Sequence, residues 1–208
     1  MQPSSHDAGL PGPLTEAEIA HRISIPRPAP QNGQGVEFTR LSLRPAAVLV
    51  PLLLEQGQWK LVFTRRTETV QSHKGQVSFP GGAADPDDLS PEATALREAN
   101  EEIGLQPDDV TLLGRLPFLA TVTNFIITPV VGRIHGPVEF RPAAEEVSRV
   151  FTIPLVWLAE AIHREVRPLQ RVGYYEDVIY YQPYDGELLW GATARITVEF
   201  LRILELTN

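Results

Sequence analysis

Apolar residues along the chain follow two rhythms, short runs or alternations at strand spacing and recurrences at helical spacing. Ala46-Ala47-Val48-Leu49-Val50-Pro51-Leu52-Leu53-Leu54 is a continuous apolar run of strand length and predicts a buried strand. Gln56-Gly57-Gln58 predicts a turn, and the alternation from Trp59 to Thr64 predicts a second strand, so the two should form a hairpin. Ser78-Phe79-Pro80-Gly81-Gly82 predicts a short strand ending in a glycine turn. Three more strands are expected at Val110–Leu116, Phe125–Val131 and Glu146–Phe151. Val178–Gln182 should pair with Leu188–Trp190 across the turn Pro183-Tyr184-Asp185-Gly186.

Helical signals stand between these runs. Thr15 with Glu18 three residues on forms a capping box for a short helix through about Arg22. Ser90 followed by Pro91 opens a helix that Gly104 should close. Pro154–Ile162 predicts a short helix and Thr193–Leu204 a last one. Residues 1–14 are rich in Pro, Gly and Ser and are expected to be disordered, and Pro26, Pro28 and Pro30 predict an irregular link. The division is therefore residues 1–40 as a tail with a short helix and Pro-rich link, then one domain over 41–208. Strands mixed with a few helices, without regular βαβ alternation, point to an α+β class. No Gly-x-Gly-x-x-Gly occurs, which disfavours a dinucleotide-binding Rossmann domain.

Composition narrows the chemistry. Of 208 residues, 43% are hydrophobic and 21% charged, which suits a soluble globular protein. No apolar run reaches the length of about eighteen residues that a membrane helix needs. The N-terminus carries no signal-peptide pattern, so a cytoplasmic location is expected. Cysteine is absent, so disulfides and thiolate chemistry are excluded, and any metal must sit on oxygen or imidazole. The net charge of −8, without a basic stripe, argues against a nucleic-acid partner. An anionic small-molecule substrate would need metal ions and local arginines to neutralise it. The chain is expected to be a monomer or homodimer.

The helix after Ser90 is where charge becomes informative. At about 100° per residue, Leu96, Ala99, Asn100 and Ile103 share one arc, and Glu98, Glu101 and Glu102 share the opposite one. Like charges three and four apart repel by roughly 0.2–0.5 kcal/mol per pair. A plain solvated face tolerates this, and short glutamate clusters commonly are such faces. A divalent cation reverses the sign of the interaction, and magnesium and manganese both suit carboxylate oxygens.

The surrounding residues favour the second reading. Arg97-Glu98-Ala99-Asn100-Glu101-Glu102-Ile103-Gly104-Leu105 resembles, at every fixed position, the signature Arg-Glu-U-x-Glu-Glu-x-Gly-U of the Nudix hydrolases, U being aliphatic or small apolar. A Phe-Pro-Gly-Gly turn precedes it at about the family's distance. The resemblance implies a Nudix fold, an α/β/α sandwich with a mixed central sheet, and a hydrolase acting on phosphoanhydride bonds with Mg2+ or Mn2+. It implies Glu98 and Glu102 as principal metal ligands, and Glu101 as a further ligand or as base for the attacking water. A carbonyl of Gly81 or Gly82 would complete the shell, and Arg97 would be a structural pin. The family pattern Gly-x5-Glu-x7-Arg is altered. Asp88 stands in the acidic position, and eight residues rather than seven separate it from Arg97. Asp88, Asp87 or Glu92 is left as partner for Arg97.

Thr64-Arg65-Arg66 and His73-Lys74-Gly75-Gln76-Val77-Ser78-Phe79-Pro80-Gly81-Gly82 resemble the motif of the coenzyme A pyrophosphatase branch, with Val70 and Gln71 in place of its Leu-Arg. The branch implies cleavage of coenzyme A or its thioesters to 3′,5′-ADP and 4′-phosphopantetheine or its acyl form. The alternatives are another nucleoside diphosphate derivative, such as ADP-ribose or a dinucleotide, and a non-catalytic binding module. Coenzyme A carries a diphosphate and a 3′-phosphate, so Arg66, Arg65, Lys74, His73 and Gln76 are the candidate contacts. Adjacent strand residues face opposite ways, so Arg65 and Arg66 cannot both face the site. His73 and Gln76 equally suit loop bracing. Downstream, Glu145-Glu146-Val147 with Phe151 and Pro154-Leu155 resembles the branch's Glu-Val stretch. Glu146 then binds a metal, orients water or only braces a loop.

Overall fold

The computed structural model describes residues 14–27, 43–68, 75–121, 123–171 and 174–207. The expectations for the first residues, for most of the Pro-rich link, and for His73 and Lys74 lie outside them. Among the described residues no helix is long and apolar enough to cross a membrane.

The long apolar run forms the middle of the sheet. β1 (Arg44–Glu55) and β2 (Gln58–Arg66) form the expected hairpin, paired from Leu52↔Leu61 to Glu55↔Gln58. Beyond that pairing the two strands part. The first half of β1 pairs instead with β4 (Gly81–Ala83), and β2 continues against β3 (Val77–Ser78). On the other edge of β1 lies β7 (Phe125–Ile134), parallel to it over ten registered pairs, followed by antiparallel β5 (Val110–Arg115). β6 (Leu119–Ala120) also pairs with β7, and β8 (Val147–Pro154) with β2. One parallel pairing among antiparallel ones makes the central sheet mixed.

Alternation along β1 sorts the core into two layers. Ala47 and Leu49 point to one face, with Val62 and Val130, against Ala95, Ala99 and Ile103 of α2 (Pro91–Ile103). Val50 and Leu52 point to the other, with Leu61, Phe63 and Val131. They meet α1 (Glu16–Ser24), α3 (Leu155–Ala159) and α4 (Gly191–Ile203) there. The result is an α/β/α sandwich with a mixed central sheet, as the resemblance implied. α1 is docked on this core: Ile19 and Ile23 are buried in it, the Trp59 indole N–H donates to the Leu14 carbonyl, and Glu16 pairs with Arg133 at 3.0 Å.

Three expectations need correction. The helix expected at Pro154–Ile162 is broken at Glu160 into α3, Leu155–Ala159, and a 3-10 turn at Ala161–His163. Leu155 and Leu158 are buried, while Ile162 is 75% exposed, so the second turn has no buried apolar face that would continue the first. The strand expected at Glu146–Phe151 runs instead over Val147–Pro154. The hairpin expected between Val178–Gln182 and Leu188–Trp190 shrinks to isolated Tyr180–Trp190 and Tyr184–Glu187 bridges and a Tyr181 N–H to Leu189 carbonyl bond. Its first strand, β10 (Tyr174–Tyr181), pairs in full with β9 (Arg164–Arg171). Most of β9 is exposed, so its sequence shows no apolar alternation to announce a strand.

Candidate active site

α2 is built by local signals. The Ser90 side chain accepts the Ala93 N–H, Pro91 occupies the first turn, and Gly104 ends the helix in a left-handed conformation at φ 70°. Its apolar arc is buried against the sheet, which turns Glu98 and Glu102 toward the Gly81-Gly82 strand. A Cβ on Gly81 would lie 2.4 Å from the Ala47 carbonyl oxygen, and one on Gly82 2.5 Å from a Glu98 carboxylate oxygen. The two glycines thus let β4 approach both β1 and the acidic face of the helix.

Glu102 is 4% exposed. Its carboxylate accepts the Gly81 N–H at 3.3 Å and an Arg66 Nη1 hydrogen bond at 3.3 Å. Burial pushes its carboxyl up to about 7, and the charges of Glu98 and Glu146 push the same way against Arg66 and the Gly81 N–H. Burial also raises the Glu98 carboxyl, opposed by Arg97 and reinforced by Glu101 and Glu146. Glu101 is more open, its side chain 58% exposed and 3.1 Å from Arg97 Nη1.

Arg97 lies at the centre of a second cluster. Its Nε and Nη2 donate to the two Asp88 oxygens at 3.2 and 2.9 Å, Nη2 donates to the Ala83 carbonyl, and Nη1 donates to Glu98 and Glu101. Asp88 also accepts the Asp85 N–H at 2.9 Å. The Arg97 hydrogen bonds and that N–H bring its carboxyl down to about 2. Of the three acids left open as partners of Arg97, Asp88 is therefore the one that grips it. Glu92 is taken by Arg115, which donates to it at 2.5 and 2.6 Å, and Asp87 is exposed. The longer loop still delivers an acid to the arginine, because Asp85 and Asp88 close on themselves in a short turn.

Alternation also separates the adjacent arginines. Arg66 turns to the acidic helix, with Nη2 3.8 Å from Glu146. Arg65 turns to the opposite face, 3.3 Å from Glu68 and 3.7 Å from Glu187. Arg65 is thus not brought to the glutamates. Gln76 reaches the site through its backbone, its carbonyl accepting the Arg66 N–H at 3.0 Å. The contributions of the Ala83 carbonyl and the Gly81 N–H were not foreseen, since main-chain donors and acceptors leave no trace in residue type.

Four carboxylates, Glu98, Glu101, Glu102 and Glu146, thus face one side and are shared between Arg66 and Arg97. Among the described residues, no three acidic or imidazole groups converge at metal-ligand spacing in this arrangement. The donor chemistry nevertheless suits a hard divalent cation. All four offer carboxylate oxygens, and the neighbouring carboxylates raise the proton affinity of both Glu98 and Glu102, which a metal charge would relieve.

Comparison with known proteins agrees with this geometry. The NUDIX domain matches residues 43–171. The chain is 41% identical over 159 residues to an uncharacterised Nudix hydrolase, NudL, of Enterobacter sp., covering 76% of this chain and 82% of that one. It is 37% identical over 189 residues to NudL of Cronobacter sakazakii, covering 90% and 93%. A MutT/nudix family protein from Enterococcus faecalis shares the fold with a TM-score of 0.51 at 15% identity, over 83% of this chain and 66% of that one. The chain belongs to the Nudix hydrolases, enzymes that split pyrophosphate bonds and generally use divalent ions such as Mg2+ or Mn2+.

Proposed function

We propose that this Nudix hydrolase cleaves the diphosphate of coenzyme A or its thioesters, releasing 3′,5′-ADP and 4′-phosphopantetheine or its acyl form. The observation that carries the hydrolytic reading is the Glu98–Glu102 face, with Glu102 buried, laid against the Gly81-Gly82 strand with Arg66 beside it. The substrate reading is supported by Thr64-Arg65-Arg66 and the Gly75-Gln76-Val77 stretch, which follow the coenzyme A branch.

Glu98 and Glu102 would hold Mg2+ or Mn2+, with Glu101 and a carbonyl of Gly81 or Gly82 completing the shell. When bound, the ion neutralises charge on the diphosphate and acidifies water. Glu101 or Glu146 takes a proton from the attacking water as it adds to phosphorus. The anhydride P–O bond then breaks and the second phosphate leaves. Arg66 supplies the fixed guanidinium fork for a phosphate oxygen. Arg97, clamped by Asp88, keeps the first turns of the helix and β4 in register. Residues 41–208 are the proposed catalytic domain, with α1 docked on it. The substrate is a small molecule, and the protein works as a monomer or homodimer in the cytoplasm.

The test offers purified protein and Mg2+ coenzyme A, dephospho-coenzyme A, ADP-ribose and NADH side by side, with products separated by chromatography. The expected outcome is metal-dependent conversion of coenzyme A to 3′,5′-ADP at the highest kcat/KM. Absence of turnover on all four would sink the enzymatic reading. Preference for ADP-ribose would sink the coenzyme A assignment alone.

A further inference from the structure

Arg66 is held firmly at its backbone and loosely at its side chain. Its N–H donates to the Gln76 carbonyl at 3.0 Å, and its carbonyl accepts the Ser148 hydroxyl at 3.3 Å. The β2–β8 register slips between Arg65 and Arg66, so that Arg65 faces Arg149 and Arg66 faces Val147. The adjoining Thr67 N–H donates to the Glu146 carbonyl at 2.8 Å, which keeps the Glu146 turn next to the strand end. The guanidinium reaches from there across to α2. Its contacts to Glu102 at 3.3 Å and Glu146 at 3.8 Å are longer than the roughly 2.7–2.9 Å of a well-made charge-assisted bond. Its Nε is buried, with no hydrogen-bond partner among the described residues. Arg97 differs, since every guanidinium nitrogen donates to a carboxylate.

One cation therefore spans two carboxylates from separate elements, one on the helix and one on the turn before β8, and is incompletely satisfied by both. We infer that Arg66 is an exchangeable internal counter-ion: it neutralises Glu102 and Glu146 in the metal-free protein and passes to a diphosphate oxygen when a divalent ion takes Glu102. The inference rests on the metal and diphosphate roles proposed above. A metal ion arriving alone must then displace Arg66 from Glu102. A diphosphate offers Arg66 new acceptors, so it lowers that cost. Metal and diphosphate tighten one another through this residue, a reciprocal coupling of two binding sites.

Mn2+ binding, measured by calorimetry without nucleotide, tests this separately from turnover. Arg66→Gln is expected to bind Mn2+ alone about fivefold more tightly than the wild type, within the usual range of such couplings. The extra tightening by the non-hydrolysable diphosphate analogue imidodiphosphate should shrink by a comparable factor. Arg66→Lys keeps a positive charge and should restore near-wild-type affinity for Mn2+ alone. Should Arg66→Gln not fold, the wild-type Arg66 Nε–H resonance provides the second readout. It is expected to move on addition of Mg2+ and again with imidodiphosphate, and a resonance unmoved by Mg2+ overturns the inference. So does Arg66→Gln binding Mn2+ as weakly as the wild type or more weakly. Failure of wild-type protein to bind Mn2+ at all would overturn the metal reading along with it.

Discussion

Two carboxylate–arginine pairs lie along the same helix and behave in opposite ways. Asp88 with Arg97, which ties the middle of α2 to the loop before it, is a closed pair. Two guanidinium nitrogens meet the two carboxylate oxygens, the Asp85 N–H adds a third bond, and the Asp88 carboxyl falls to about 2. Glu102 with Arg66, toward the end of α2, is an open pair. It has one long hydrogen bond to the arginine and one to Gly81, it is more buried, and two further carboxylates repel it. Its carboxyl rises to about 7. A buried charge is stabilised only when its partners repay the lost hydration. Asp88 meets that condition and Glu102 does not. The first pair holds structure, and the second is the one that, on the proposed reading, gives way to a cation of higher charge.

The largest expected effect comes from removing the open pair's charge. Glu102→Gln keeps the side-chain length and an oxygen for Arg66 and Gly81, but no longer carries the charge that would hold metal. Turnover should fall roughly 10²–10³-fold, the scale of losing one electrostatic contact at a reacting centre. The metal-free variant should melt at or above the wild-type temperature near pH 7.5, because a neutral amide is cheaper to bury than a carboxylate. Steady-state kinetics and calorimetric melting read the two effects. A drop of several degrees with activity retained would make Glu102 another structural pin and remove the contrast.

How far this contrast was legible in the sequence depends on the range of the interactions. α2 could be read in full, because Ser90, Pro91 and Gly104 act within a turn of their own positions. The Glu98–Glu101–Glu102 face followed from helical geometry alone. Alternation showed that Arg65 and Arg66 must diverge, but not which one meets the helix. That depends on the register slip against β8 and on Ser148, more than eighty residues away. The choice of Asp88 over Asp87 and Glu92 depended on the path of an irregular loop and on Arg115 claiming Glu92. β9 was missed because a mostly exposed strand carries no apolar period.

The raised carboxyl of Glu102 has a second consequence, smaller than the loss of turnover. Between its ordinary 4.5 and about 7, the folded metal-free protein holds a proton at Glu102 that the unfolded chain releases. The stabilisation is complete below about 4.5 and is lost as pH rises through about 7. It is on the order of 3 kcal/mol, from about 1.4 kcal/mol for each pKa unit between 4.5 and about 7. Denaturant melts in chelator should therefore show wild-type stability declining across this window relative to Glu102→Gln. Saturating Mg2+ should cancel the decline, because a bound cation favours the ionised form. Parallel pH profiles for the two proteins would show that Glu102 gains no such proton on folding.

Asp88 predicts the reverse slope and the smallest effect. Its folded-state carboxyl lies near 2 against an ordinary 3.8, so the pair stabilises the fold above about 4 and stops doing so as pH falls toward 2. Asp88→Asn should cost about 1.5 kcal/mol at neutral pH, at the low end for a hydrogen bond to a charged group, since the arginine keeps other partners. The difference between variant and wild type should then narrow between pH 4 and 2. Activity should change through Arg97. Released from Asp88, its guanidinium turns more fully to Glu98 and Glu101 and competes for their charge. The Mg2+ concentration needed for half-maximal activity should rise about fivefold, the equivalent of 1 kcal/mol, with kcat at saturating metal little changed. If kcat collapsed at every Mg2+ concentration instead, Asp88 would belong with the reacting groups, and the contrast between a structural pair and a pair that gives way to metal would fail.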